Sequence, residues 1–134
     1  MEIQPVEAPD PTPRFPRLEF TNLFKIAEWQ HEIPWQPFKE GLEIFRLYGD
    51  PESGPSAALI RFKEDGHVPA HTHPGFEHIF VLTGTQHDQN GAAAPGTLII
   101  NQPGTTHRVT SEAGCIVLAI YEKPVQFLPE DKET

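Results

Sequence analysis

Gly66-His67-Val68-Pro69-Ala70-His71-Thr72-His73-Pro74-Gly75-Phe76-Glu77-His78 is the stretch from which the fold of this chain is read. In an extended strand, residues two apart point to the same face, so His71 and His73 present two imidazoles side by side. Pro74-Gly75 then turns the chain and returns Glu77 on the next strand. Along 76–82 the odd positions Glu77, Ile79 and Val81 share one face. A carboxylate on an apolar face is costly to desolvate unless it is paired or bound to a metal. Two neutral imidazoles and a carboxylate suit a divalent ion. The same residues are also compatible with an ordinary surface histidine pair and a solvated glutamate.

The second informative stretch is Gly96-Thr97-Leu98-Ile99-Ile100-Asn101-Gln102-Pro103-Gly104-Thr105-Thr106-His107. Pro103-Gly104 forces a tight turn that delivers His107 to the start of a strand. Around these two stretches the pattern is β throughout. Strands are expected at 42–48, 57–63, 67–73, 76–83, 85–88, 97–101, 107–111 and 115–122. In the first of them Leu42, Ile44 and Arg46 fall on one face, and Glu43, Phe45 and Leu47 on the other. Asp50-Pro51-Glu52-Ser53-Gly54-Pro55, Glu64-Asp65-Gly66 and Pro95-Gly96 mark turns. Gln89-Asn90-Gly91 marks a tight hairpin, because Asn-Gly accepts positive φ. Short strands at this spacing predict an all-β sandwich or barrel. One short helix is expected within 18–29, capped by Thr21 or Asn22.

The chain has 134 residues, enough for one domain with its own core. Five of its 15 prolines fall in the first 16 residues, so 1–17 is expected to be an extended proline-rich arm. The domain is expected to span 18–128, followed by a charged, flexible tail at 129–134. A net charge of −9 without a basic stripe argues against nucleic acid. No apolar run is long enough to span a bilayer, and the N-terminus lacks the features of a secretory signal. The single cysteine, Cys115, forms no internal disulfide, which suits a cytoplasmic location.

The two stretches together resemble the paired motifs of the cupin superfamily, the RmlC-like jelly rolls. The first motif corresponds to Gly66, His71-x-His73, Glu77 and Gly84, with Gly66 one position closer than usual. The second corresponds to Gly96, Gln102-Pro103-Gly104 and His107, with Gln102 where proline is usual and Ser111 where asparagine is usual. The resemblance implies a cupin jelly-roll β-barrel (a double-stranded β-helix). It also implies His71, His73, Glu77 and His107 as ligands of one divalent metal ion. Zinc and iron come first; nickel, copper and manganese also suit such a donor set. Asp50-Pro51-Glu52-Ser53-Gly54, His71-Thr72-His73-Pro74-Gly75 and Glu112-Ala113-Gly114-Cys115 look like the ChrR-like branch. That branch includes zinc-binding domains of anti-sigma factors, and its relatives include dioxygenases of diketones and hydroxyketones. The chain carries no H…C-x-x-C cluster, so a complete anti-sigma factor is not expected.

Two functions follow from the resemblance. One is a metal-dependent dioxygenase acting on a diketone or hydroxyketone-type small molecule, with Glu77 catalytic by shifting its coordination or by accepting a proton. The other is a non-catalytic zinc-binding or ligand-sensing domain. A keto-isomerase is disfavoured by the acidic balance and the intact metal set. A homodimer is expected, as in other small cupins. His67 shares parity with the ligands in a regular strand and is a candidate for contact behind them. His78 should face away, and His31 and His87 should be structural or exposed. Gln86 and Asp88 lie on a strand that could edge the cavity, but they read first as a solvated hairpin. Trp29, Trp35, Phe38 and Phe45 read as core or interface, and Cys115 as a small buried hydrophobe.

Overall fold

The expected strands are present, most within a residue or two of their expected bounds. The computed structural model describes residues 17–129, so the expected arm and tail lie outside the described residues except for Arg17 and Pro129. In chain order the strands are β1 (Gln36–Pro37), β2 (Leu42–Gly49), β3 (Ser56–Phe62), β4 (Gly66–Thr72), β5 (Glu77–Gly84) and β6 (Gln86–Asp88). They continue with β7 (Gly91–Ala93), β8 (Leu98–Asn101), β9 (Thr106–Ser111), β10 (Cys115–Tyr121) and β11 (Gln126–Phe127). All pairings are antiparallel. A six-stranded sheet runs β1-β2-β3-β10-β5-β8, and a five-stranded sheet runs β11-β4-β9-β6-β7. This is the jelly-roll architecture of an all-β cupin.

The two sheets bury their strands differently, and the sequence reflects it. In β9, Thr106–Ser111, exposed and buried residues alternate strictly, as expected where one face meets the core and the other meets water. β3 and β10 are instead nearly continuous apolar runs, and both their faces are covered. The inner face packs Leu42, Ile44, Ile60, Phe62, Val81 and Val117 into the barrel core. The outer face packs Phe45, Leu59, Leu82 and Ile116 against Ile26, Trp29 and Ile33 from the N-terminal helical segment. Ile26 and Trp29 are fully buried. Burying a side chain of this size contributes about 1.5–3 kcal/mol.

The helix is shorter than expected. A single turn, α1 (Ile26–Trp29), is flanked by 3₁₀ turns at Leu23–Lys25 and Gln30–Glu32. Asn22 precedes the first of these in the left-handed region, at φ 61°, with no side-chain cap. Its carbonyl instead accepts from Lys25 N and from the Trp29 indole Nε1, each at 3.0 Å. So short a helix is held by packing against the sheet rather than by propensity.

The hairpin at 89–91 is present with different turn chemistry. Asp88 Oδ1 accepts from Asn90 N at 2.8 Å, and the positive φ falls on Gly91 rather than Asn90. The two-residue strands β1 and β11 are too short to carry a readable period. Pro37 is tolerated in β1 because this strand lies at the sheet edge. Gly84 closes β5 at φ 77°, where a Cβ would lie 2.2 Å from the Gly114 carbonyl. Gly66 opens β4 where a Cβ would lie 2.5 Å from the Gly41 carbonyl. Cys115 is buried; burial pushes its thiol up to about 11, against a hydrogen bond with Ser111. Such a thiol is a poor nucleophile near neutral pH and packs as a small hydrophobe.

Candidate metal centre

β4 and β9 bring His71 and His107 directly opposite each other across an antiparallel pair. His73 lies one residue beyond the end of β4. Its backbone is pinned to the Pro103-Gly104 turn: His73 N donates to Thr105 O at 2.9 Å, and Gly104 N donates to His73 O at 2.8 Å. Glu77 is the first residue of β5, so it approaches from the other sheet. One donor atom from each of His71, His73, Glu77 and His107 can be chosen so that all lie within 4.8 Å of one another. All four residues are buried, with 1–5% of their surface exposed.

The outer nitrogen of each ring fixes the tautomer. His71 Nδ1 lies 2.8 Å from the Pro69 carbonyl, which can only accept, so this Nδ1 carries the proton. His107 Nδ1 lies 3.0 Å from Asp88 Oδ2, with the same consequence. His73 Nδ1 lies 2.9 Å from Thr105 Oγ1, whose own proton is donated to Gln102 O at 2.6 Å. His73 is therefore also protonated at Nδ1. All three Nε2 lone pairs are left for the centre. His73 Nε2 lies 2.9 Å from Glu77 Oε1, yet it has no hydrogen-bond partner. A lone pair facing a carboxylate needs a cation between them. An unsatisfied buried polar atom costs about 1–3 kcal/mol. The donor set of imidazoles and carboxylate therefore fits a divalent metal ion.

The electrostatics agree. Burial disfavours the charged imidazole and is the largest influence on His71, holding it below its ordinary value. Burial by itself would raise the Glu77 carboxyl. Only when the rings are protonated do a hydrogen bond from His73 and the charges of His73, His71 and His107 overcome it and hold Glu77 below its ordinary value. Asn101 Nδ2 also donates to Glu77 Oε1 at 2.9 Å. The centre opens on a cavity of about 460 Å³ between the sheets, lined by His71, Glu77 and His107 and floored by apolar residues such as Ile44, Ile60 and Val117.

Three expectations about neighbouring residues need correction. A bulge in β4 between Val68 and His71 shifts the register against β9, so strand parity breaks there. His67 consequently faces outward and is exposed rather than standing behind the ligands. Asp88 is not a solvated hairpin residue, since it holds His107. Gln86 is buried and lines the cavity. Among the aromatics, Phe38 lines the cavity while Trp29 and Phe45 belong to the outer-face core. Asn101, Thr105 and Tyr121 went unrecognised in the sequence. The available signal was a polar residue ending an apolar strand, as in Leu98–Asn101 and Cys115–Tyr121.

A jelly roll carrying this histidine–carboxylate cluster defines a cupin. The chain belongs to the family of ChrR cupin-like domains, which matches residues 25–126. No functionally curated protein matches it. Among solved structures, an acetylacetone dioxygenase from Acinetobacter johnsonii superposes with a TM-score of 0.69 at 14% identity, covering 95% of this chain and 86% of that one. An RmlC-like cupin from Ralstonia eutropha JMP134 gives 0.66 at 21% identity, covering 75% and 69%. The Rhodobacter sphaeroides complex of SigE with the anti-sigma ChrR gives 0.61 at 24% identity, covering 69% of this chain and 50% of that one. The chain also spans only 60% of a cupin-like protein of unknown function from the same Ralstonia strain. At these identities the likeness is one of fold.

Removing the Asp88 carboxylate is expected to weaken metal binding about 10–100-fold, because it orients His107 and fixes its tautomer. Chelator competition on Asp88→Ala, with folding checked by circular dichroism, measures this; an unchanged affinity would refute it. Metal content should also respond to pH. Ligating imidazoles must be neutral, so metal retained at pH 7.5 should be lost progressively below about pH 6.5. In the metal-free protein the signs agree. His71 and Glu77 both have folded values below their unfolded ones, so the unfolded chain binds more protons. Stability falls as pH drops below 6.5 for His71 and below 4.5 for Glu77. Full metal content after dialysis at pH 5 would contradict a histidine-dominated site.

Proposed function

We propose that residues 18–128 form one cupin domain that binds a divalent metal ion through His71, His73, Glu77 and His107 and acts as a metal-dependent dioxygenase. The substrate is a small diketone or hydroxyketone. The observation that carries the reading is the cavity beside the four ligands. A site built only to hold zinc is closed by its protein ligands, whereas a catalytic site keeps a coordination position accessible. Here the cavity is lined by two of the imidazoles and by Glu77. When bound, a divalent ion supplies Lewis-acid polarisation and a template for a chelating enolate. The protein residues do the rest. Thr105, Pro69 and Asp88 keep the imidazoles oriented. Asn101 holds one Glu77 oxygen, and the other takes the proton a diketone loses on forming its enolate. The apolar floor keeps bulk water from the reacting carbon.

A non-catalytic zinc domain of the ChrR-like type is the second reading. It is favoured by the burial of all four donors and by their sufficiency for a tetrahedral ion. Oxygen uptake decides between the two. Protein loaded separately with iron, nickel and copper is expected to consume oxygen with at least one member of a panel of β-diketones and hydroxyacetophenones. No uptake in any combination, together with stoichiometric zinc in protein from its native source, would leave the zinc domain as the function.

Assembly as a homodimer belongs to the same proposal. It is supported by apolar surface on Phe24, which is 87% exposed, and on Leu98 and Ile100 of the edge strand β8. Light scattering should report twice the mass of one chain, and a monomer would overturn it. A cytoplasmic location fits the single cysteine, and among the described residues no helix is long and apolar enough to cross a membrane.

A further inference from the structure

Tyr121 and Arg46 are two of several polar side chains that line the cavity without an assigned task. Tyr121 closes β10 directly opposite Glu77, so both project from the same face of the sheet. Among the described residues its hydroxyl makes no hydrogen bond, although it lines the cavity. Burial pushes this hydroxyl far above the usual tyrosine range, with Glu77 adding to the effect and Arg46 opposing it. It therefore stays protonated and available as a donor. Arg46 follows buried Leu42 and Ile44 on the cavity side of β2 but is itself exposed, just before a bulge at Leu47 that shifts the register against β3.

The contrast with Arg61 is informative. Arg61 is held by Glu43 at 2.7 Å and lies over the Trp35 ring at 4.6 Å. Arg46 forms no ion pair among the described residues, and its guanidinium lies only distantly, at 6.0 Å, from the Phe38 ring. Lys39 also lines the cavity, with its ammonium 4.2 Å from the Phe127 ring. Glu52 lines the same cavity, so the wall is not uniformly positive. Yet in a chain of net charge −9, two cations and a neutral donor on the wall of one apolar cavity are conspicuous. An unpaired guanidinium presents a planar fork of donors that matches a carboxylate, and a phenol adds a further donor.

We propose that Arg46 and Tyr121 form a carboxylate-binding subsite, so that the ligand is a small diketone or hydroxyketone that also carries a carboxylate. Its carbonyl end lies at the histidine–glutamate centre, its carbon chain on the apolar floor, and its carboxylate on Arg46 and the Tyr121 hydroxyl. This deepens the proposed function and rests on reading the cavity as its ligand site.

Calorimetric titration of the zinc-loaded full chain separates the possibilities, because zinc binds the chelating end without turnover. The probes are 2,4-dioxopentanoate and its methyl ester, which lacks the carboxylate charge and carries one additional methyl group. The acid should bind at least about tenfold tighter than the ester, as expected for one charge-assisted contact. Arg46→Met should bring acid and ester within about twofold of each other. Tyr121→Phe should narrow the gap in part. Retained ester binding reports that each variant is folded. Butanoate offered to metal-free protein tests the subsite without the centre and should bind more weakly to Arg46→Met than to the wild type. Equal binding of acid and ester by the wild type would overturn the proposal, as would an undiminished acid preference in Arg46→Met. Failure of both carboxylates to bind would overturn it too. Arg46-dependent binding without oxygen uptake on any metal would instead uphold the subsite and remove only the oxygenase reading.

Discussion

The structure depends on one electrostatic problem: three imidazole lone pairs and a carboxylate meet in a buried space with too few protons among them. Each imidazole is committed to this arrangement by its outer nitrogen, which donates to Pro69, Thr105 or Asp88. Buried acceptors facing one another repel unless a cation lies between them. The surrounding fold keeps them together. The Pro103-Gly104 turn pins His73, the antiparallel pairing of β4 and β9 sets His71 against His107, and β5 supplies Glu77 from the opposite sheet. Packing in the rest of the barrel bears the cost of holding this group ready.

That packing comes from the asymmetry between the sheets. The six-stranded sheet is covered on both faces, by the barrel core within and by Ile26, Trp29 and Ile33 outside. The five-stranded sheet carries a solvated outer face, as the alternation in Thr106–Ser111 records. The site bridges the rigid sheet and the half-solvated one. Glu77 is therefore anchored in the better-packed layer, and the cavity opens between the layers.

Much of this was legible along the chain. Turn residues and period-two patterns located the principal strands because each signal is local. Proline and glycine restrict or free the backbone in place, and side-chain alternation is a property of a single strand. His71, His73 and Glu77 stood out at short spacings around one tight turn, and the resemblance to the paired cupin motifs added His107. The short strands β1 and β11, with two residues each, carry no period to read. His67 was misplaced for a different reason. Parity counting assumes a regular strand, and the bulge before His71 breaks that assumption.

The sequence by itself determined the β-rich class of fold and the positions of the principal strands along the chain, and its family motifs implied the four residues of the candidate centre. The first two follow from backbone preferences and from patterns within short segments. Tertiary structure alone decided what stands around them. Asp88 behind His107 is 19 residues away in sequence, Asn101 on Glu77 is 24 away, and Thr105 on His73 is 32 away. Arg46 and Tyr121 share a cavity only because β2 and β10 flank β3. Which polar group meets which across the barrel depends on strand order and register. These are set by the packing of all the strands at once, and no local pattern encodes them.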